Sequence, residues 1–120
     1  MMLSVGLQIL PKTTAEELLA SQQRFFTPSE RAAIAQSQEK ALLCVRIHSM
    51  RQAIKKALLE VCQGVEDKEI SLAVEGTGFR AELGAVLSSQ LESFGKVEIF
   101  LNDTVAEEAV ASLCILDKEA

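Results

Sequence analysis

The sequence predicts an α+β fold, and three observations support this prediction. Residues 40–63 contain no glycine or proline and repeat apolar side chains at steps of three and four, as a long helix does. Segments near both ends of the chain alternate apolar and polar residues, as strands do. Thr13 and Thr27 each precede a glutamate by three residues, a spacing typical of helix starts. Helices and strands that occupy separate stretches of a chain are typical of the α+β class.

The first element is predicted to be a strand over residues 3–10. It is rich in β-branched and alternating apolar residues and ends at Pro11, which has no N–H for a sheet hydrogen bond. A helix is then expected from Thr13, because the Thr13 hydroxyl and the Glu16 carboxylate have the spacing of a capping box. The segment therefore indicates a strand followed directly by a helix.

A second capping box, Thr27 to Glu30, is the strongest local signal in the chain. Pro28 stands at the first helical position, where its missing N–H costs nothing. The long helix follows over residues 40–63, and Gly64 is expected to stop it. Its apolar stripe consists of Leu43, Ile47, Met50, Ile54, Leu58 and Val61.

The C-terminal half is predicted to contain strands around one further helix. Residues 70–74 alternate as a strand, and Gly76 and Gly78 bracket a turn into residues 79–81, which indicates a hairpin. Residues 83–93 have helical spacing and end at Gly95. Segments 97–101 and 110–116 are predicted to be the last two strands.

Composition narrows the class of protein. A chain of 120 residues with 48% hydrophobic content suits one domain, residues 1–120, whose small core favours association with further copies. A net charge of −5 argues against sequence-independent nucleic-acid binding, which needs basic residues. No apolar run reaches bilayer length, and the three cysteines are interpreted as buried and reduced. We therefore expect a cytoplasmic protein without nucleic-acid or membrane partners.

One face of the long helix carries the candidate functional residues. His48, Gln52 and Lys56 are four residues apart and share that face, with Arg51 and Lys55 beside them. A polar stripe of this kind is also what the solvated face of any amphipathic helix looks like. The periodicity alone leaves both interpretations open.

Four segments, taken together, resemble a known family. They are the strand VGLQI (5–9), the segment RFFTPSE (24–30), the helix stretch RQAIKKAL (51–58) and the strand AVA (109–111). In this order and at this spacing they are similar to the landmarks of the holo-(acyl carrier protein) synthases. The resemblance implies the 4′-phosphopantetheinyl transferase fold, with a mainly antiparallel sheet packed on a long helix. It also implies a homotrimer with active sites between neighbouring subunits.

The family transfers the 4′-phosphopantetheine arm of coenzyme A to a serine of an acyl carrier protein and uses Mg²⁺. Its two metal-binding carboxylates, one on the first strand and one on the long helix, fall here on Gln8 and Gln52. Lys56 matches the family's lysine one turn later, and Arg51 and Lys55 add positive charge for coenzyme A phosphates. The resemblance thus implies coenzyme A contacts at these three residues but no metal ligands.

Two other family features are also altered. The family's serine–histidine pair near the last strand falls around Asp103 and Thr104, where no histidine stands, and its glycine–lysine–proline turn is reduced to Gly78-Phe79-Arg80. A carboxylate about 4 Å from a dication contributes at most about 8 kcal/mol at an effective dielectric constant near 20. The loss of two carboxylates therefore predicts weak Mg²⁺ binding.

Three interpretations follow. The chain is a non-catalytic homologue that keeps the trimer and the binding of coenzyme A or a carrier protein, an active but divergent transferase, or a structural module that binds neither. An active enzyme would need substitute carboxylates, for which the candidates are Glu98, Asp103, Glu107 and Glu108. A carrier protein, being acidic, would need a basic docking face, for which the candidates are Arg24, Arg31, Arg46, Arg51 and Lys55.

Overall fold

The computed structural model describes residues 1–119, which contain five strands and five α-helices. Every strand pairing is antiparallel, so the α+β prediction is confirmed. The strands are β1 (Met2–Pro11), β2 (Ile70–Glu75), β3 (Gly78–Leu83), β4 (Val97–Val105) and β5 (Ala109–Lys118). The helices are α1 (Ala15–Ala20), α2 (Gln22–Phe25), α3 (Pro28–Gln36), α4 (Lys40–Leu59) and α5 (Ala85–Glu92).

Strands from the two ends of the chain form one sheet, in the order β1-β5-β4. The central strand β5 alternates strictly between buried and half-buried residues from Ala109 to Leu116. Its buried side chains face α4, which lies across this sheet and provides nine of the twenty buried hydrophobic residues, more than any other element. The predicted arrangement of an antiparallel sheet on a long helix is therefore confirmed.

The crossing of β1 over α4 depends on Gly6. A Cβ atom at this position would collide with the carbonyl oxygen of Ala53 and crowd the backbone nitrogen of Ala57. The neighbouring Ser4 hydroxyl donates to the Ala57 carbonyl at 2.7 Å, which ties the same part of the strand to the helix. The absence of a side chain therefore lets the strand lie directly on the helix backbone, and Gln8 follows along the same strand face.

The β2–β3 hairpin and α3 lie at the other side of α4. The hairpin turns at Gly76, whose φ of 61° is the left-handed conformation that glycine adopts without strain. At the start of α3 the Thr27 side chain accepts a hydrogen bond from the Glu30 backbone, and the Glu30 side chain accepts one from the Thr27 backbone. The predicted second capping box is therefore confirmed.

The structure corrects several predicted boundaries. The capping box from Thr13 to Glu16 does not form, because residues 12–14 make a 3-10 turn and the Thr14 hydroxyl donates to the Pro11 carbonyl instead. Helix α4 ends at Leu59, before Gly64, and the next residues form turns. Residues 83 and 84 belong to the end of β3 and the N-cap of α5, so that helix begins later than predicted.

The outer face of the three-stranded sheet is apolar and exposed. It carries Val5, Leu7 and Ile9 of β1, which are 41%, 53% and 62% exposed, and Phe100 of β4, which is 49% exposed. The cysteines Cys44, Cys62 and Cys114 are buried and free, as interpreted from the sequence. No helix within residues 1–119 combines the length and apolar composition that crossing a bilayer requires.

Candidate functional site

Helix α4 presents His48, Gln52 and Lys56 along one face, between β1 and the turn that leads into β2. Lys56 is exposed, and its Nζ donates to the Leu7 carbonyl of β1 at 2.9 Å. Gln52 is half-buried, and its side chain is close enough to the carboxylate of Asp67, in the turn before β2, to lower the pKa of that carboxyl. The polar stripe predicted from the sequence therefore faces chain segments on both sides.

Gln8 lies on the face of β1 that packs on α4, because it is two residues beyond Gly6 in an extended strand. The Ser49 hydroxyl of α4 donates to the Gln8 main-chain carbonyl at 3.5 Å. The Gln8 side-chain Nε2 donates to the carbonyl of Ile9 at 3.2 Å. The strand and the helix thus bring both glutamines to the interface of β1 and α4, while a direct contact between their amides stays a prediction.

Asp103 of β4 belongs to the same row of the sheet as Gln8. Ser112 of β5 lies opposite Gln8 on one side and opposite Asp103 on the other. Two strand spacings therefore separate Gln8 from Asp103, which is about 10 Å. The Asp103 carboxylate is bound by Arg46 Nε at 2.7 Å and by Arg46 Nη2 at 3.2 Å. This candidate substitute carboxylate already has its own cationic partner.

The remaining substitute candidates lie away from the glutamines. Glu98, Glu107 and Glu108 are exposed, with Glu98 on β4 and the other two in the turn between β4 and β5. Thr104, the neighbour of Asp103, is exposed and lies opposite Ala111 in the sheet. Asp67, by contrast, is the acid whose pKa is affected by the Gln52 side chain.

Arg51, expected to offer charge to a phosphate, is instead 2% exposed and fully engaged inside the protein. Its guanidinium pairs with Glu30 and donates to the carbonyls of Phe25 at 2.6 Å and Ile70 at 3.2 Å. Burial lowers its pKa to about 10, so it remains a cation at neutral pH. The sequence contained a signal for this burial, because Arg51 is four residues after Ile47 and therefore extends the apolar stripe.

Asp67 is the residue of this site that the sequence analysis missed. Its carboxylate is 2.9 Å from Lys55 Nζ. Burial alone raises the pKa of Asp67, but the ion pair with Lys55, the charge of Arg51 and the polar side chain of Gln52 together lower it. Lys55, expected to face coenzyme A, therefore already has an anionic partner.

The residues around Gln8 and Gln52 do not fit Mg²⁺, which prefers oxygen ligands that include one or two carboxylates. The Gln8 amide donates an N–H to a carbonyl, and the Asp67 carboxylate is neutralised by Lys55. Within residues 1–119 no group of three or more histidine, cysteine, aspartate or glutamate side chains is placed to hold a metal ion. The described residues therefore supply no net negative charge for a dication here.

The five basic residues proposed as a docking face divide into two classes. Arg46, Arg51 and Lys55 are paired with Asp103, Glu30 and Asp67 respectively. Arg24 is exposed and Arg31 half-exposed, and neither takes part in an ion pair within residues 1–119. Of the five, Arg24 of α2 and Arg31 of α3 are therefore the two whose charge is not already paired within residues 1–119.

Comparison of the chain with known proteins gives matches at the level of structure. No protein-family model and no curated protein sequence matches it. A solved structure titled as the ACPS–CoA complex of Chronobacterium ammoniagenes is similar with a TM-score of 0.78 and 22% identity, covering 100% of this chain and 99% of the other. The holo-[acyl-carrier-protein] synthase of Neisseria meningitidis gives a TM-score of 0.79 at 19% identity, with coverages of 98% and 100%.

A third similar structure is the Helicobacter pylori holo-[acyl-carrier-protein] synthase in complex with coenzyme A. Its TM-score is 0.72 at 13% identity, and the match covers 94% of this chain and 99% of the other. The likeness extends over essentially the whole length of both chains in each case. This chain has the fold of the holo-[acyl-carrier-protein] synthases.

Proposed function

We propose that this protein is a non-catalytic relative of the holo-[acyl-carrier-protein] synthases that retains binding of coenzyme A. One observation carries the proposal: the chain has a full-length synthase fold, and its sequence has the amides Gln8 and Gln52 at the two positions that, by resemblance, correspond to the family's metal-binding carboxylates. Structures with this fold have been solved in complex with coenzyme A, which supports coenzyme A as the ligand proposed here.

Lys56 is the cation best suited to a coenzyme A phosphate. It is exposed, and its hydrogen bond to a main-chain carbonyl leaves its charge without an anionic partner within residues 1–119. To contact a phosphate, Lys55 would have to break its ion pair with Asp67, and Arg51 would have to break its buried ion pair with Glu30. Losing one partner of a buried pair costs several kcal/mol, so we assign no phosphate contact to Arg51.

The proposed lack of phosphopantetheine transfer follows from the loss of negative charge around the metal position. Phosphoryl transfer of this type depends on metal ions that neutralise the charge developing on the phosphate oxygens. Two amides in place of two carboxylates remove two negative charges from the metal's surroundings, and Asp67, an acid near Gln52, is paired with Lys55. Coenzyme A would therefore bind with little dependence on Mg²⁺.

The apolar outer face of the three-stranded sheet supports the further proposal of a homotrimer. Val5, Leu7 and Ile9 form an exposed apolar row that a second copy would cover. Sedimentation is expected to give three times the monomer mass of 13.0 kDa at micromolar concentration. Leu7→Glu should shift the population toward monomer, whereas Val74→Glu, an exposed apolar position outside this sheet, should not.

Calorimetry with coenzyme A, with Mg²⁺ and with chelator, tests the main proposal. We expect binding of similar affinity in both conditions and a weakened affinity in Lys56→Gln, compared with Lys96→Gln as an exposed control. Mass spectrometry of an apo acyl carrier protein incubated with coenzyme A and Mg²⁺ should show no gain of mass. Absence of coenzyme A binding would overturn the proposal and favour a structural module.

A second candidate function is an active divergent transferase, and Asp67 is the observation that favours it. This carboxylate lies beside Gln52, near the position where the family's helix glutamate would be. It would have to exchange Lys55 for a metal ion to act. Conversion of the apo carrier protein to its heavier form, lost in Asp67→Asn, is the result that would establish this function instead.

A further inference from the structure

A cavity of about 320 Å³ opens between the end of α2, the middle of α4 and the turn before β2. Neither Gln8 nor Lys56 lines it, so it is distinct from the surface proposed for coenzyme A. Aromatic, basic and acidic side chains all contribute to its wall, among them Arg24, Phe25, Phe26, His48, Asp67 and Lys68. A mixed wall of this kind suits a small ligand with one charged and one apolar part.

His48 is the polar group of the wall whose hydrogen bonding is incomplete. Its Nδ1 is buried and has no hydrogen-bond partner within residues 1–119. A buried N–H without an acceptor costs more than a buried lone pair, so the neutral ring is expected to carry its proton on Nε2. The Nε2–H then remains as a donor toward the cavity.

Arg24 is the one cation of the wall that has no anionic partner among residues 1–119. Its guanidinium lies 5.3 Å from the centre of the Phe25 ring, and that ring contacts His48 edge-on at 5.5 Å between centroids. The other three charged wall residues have ion-pair partners: Arg51 pairs with Glu30, Lys68 with Glu66, and Asp67 with Lys55. The uncompensated charge at the cavity is therefore positive.

We propose that this cavity binds an oxyanion group, a carboxylate or a phosphate, through Arg24 and the Nε2–H of His48. Charge-assisted hydrogen bonds from a guanidinium and an imidazole suit such a group, and an apolar part of the ligand would rest on Phe25. A cation is the wrong ligand, because the single carboxylate lining the cavity within residues 1–119, Asp67, is already paired with Lys55.

The proposal includes a dependence on pH, because a bound anion favours protonation of His48. Burial lowers the pKa of His48, while the charges of Asp67 in the turn before β2 and Glu17 of α1 raise it. On the cavity wall, Arg24 of α2 opposes protonation, and Arg51 of α4 is balanced by Glu30. The anion should therefore bind more tightly at pH 5.5 than at pH 7.5, by roughly threefold or more.

Nuclear magnetic resonance of the imidazole provides the test, since His48 is the one histidine in the chain. Inorganic phosphate and butyrate are titrated separately at constant ionic strength, with chloride as the reference anion. We expect a saturable shift of the His48 signals with phosphate, with butyrate or with both, and a raised His48 pKa in the saturated protein. The two titrations identify which oxyanion the cavity takes.

Arg24→Gln should weaken this binding about tenfold, since it removes the charged donor. Arg80→Gln is the matched control, because Arg80 is an exposed arginine on β3 outside the cavity. No saturable shift with either anion, or equal affinities in the Arg24 variant and the native protein, would overturn the proposal. Coenzyme A is absent from the experiment, so its outcome is independent of whether the protein binds that cofactor.

Discussion

The guanidinium of Arg51 and the carboxylate of Glu30 form an ion pair from which solvent is excluded, with exposures of 2% and 0%. The same carboxylate accepts hydrogen bonds from the backbone of Thr27 at 2.9 Å and of Leu72 at 2.8 Å. One acidic side chain therefore connects the start of α3, the middle of α4 and the strand β2. Arg51, the first residue of the helix stretch RQAIKKAL, therefore holds these elements together.

Glu30→Gln should consequently lower the free energy of unfolding by about 3–5 kcal/mol, because it leaves the Arg51 charge buried without a partner. Urea denaturation measures this loss. Glu75→Gln is the matched control, since Glu75 is exposed and 3.8 Å from Arg80, and it should change stability by less than about 0.5 kcal/mol. Equal effects of the two substitutions would contradict the structural role of the pair.

Thr27→Ala should cost about 1 kcal/mol of stability, because it removes the side-chain oxygen that caps α3. The comparison is Thr14→Ala, whose hydroxyl donates to the Pro11 carbonyl and caps no helix nitrogen. Thermal unfolding of the two variants should rank Thr27→Ala as the less stable. The reverse order would show that the capping box contributes little.

Gly6→Ala should destabilise the protein by about 3 kcal/mol or more, because the added methyl group would meet helix backbone that cannot move aside. Gly78→Ala provides the control, since a Cβ at that position meets no atom within 4 Å and its φ is not positive. Denaturation midpoints should separate the two variants clearly. A Gly6→Ala protein of native stability would mean that β1 does not lie against α4 as described.

Local signals in the sequence predicted local structure well. The box from Thr27 to Glu30 formed because its partners lie within one helical turn. Thr13 and Glu16 have the same spacing but form no capping box, because the chain makes a 3-10 turn there. In that turn the Thr14 hydroxyl donates to the nearby Pro11 carbonyl. Spacing alone does not reveal such a competing partner.

The electrostatic partners of the site depend on tertiary structure and were the part that the sequence could not predict. Periodicity put Arg51 beside the polar stripe, but α3 and β2 cover it and Glu30 neutralises it. Asp67 belongs to a short charged turn without any pattern, and only the fold brings it to Lys55 and Gln52. Residues far apart in sequence therefore decide which charges of the helix remain free.

The unfolding free energy should fall as the pH is lowered from about 7 toward 5, and His48 should cause part of this change. Its pKa in the folded protein is below the ordinary value near 6.5, mainly because of burial. In this window the unfolded chain binds a proton that the folded protein does not, so stability is lost as pH falls. Urea denaturation of His48→Gln, in a buffer free of oxyanions, should give a flatter pH profile. An unchanged profile would exclude this contribution.

The double variant Gln8→Asp with Gln52→Glu tests the proposal that two amides in place of two carboxylates prevent Mg²⁺ binding. The Gln52→Glu substitution places a second carboxylate near that of Asp67, where the native protein has a neutral amide. Like charges at this distance repel, so the variant should be less stable than the native protein in chelator.

Mg²⁺ should reverse this destabilisation, because a ligand that binds only the folded state raises its stability. We expect the melting temperature of the double variant to rise with Mg²⁺ concentration, while that of the native protein stays constant. Coenzyme A should likewise bind the variant more tightly in Mg²⁺ than in chelator. The single variant Gln8→Asp is the control and should respond weakly, since one carboxylate supplies half of the added charge. If neither the melting temperature nor the coenzyme A affinity of the double variant changes with Mg²⁺, then Gln8 and Gln52 do not converge on one ion and do not correspond to the family's two metal ligands.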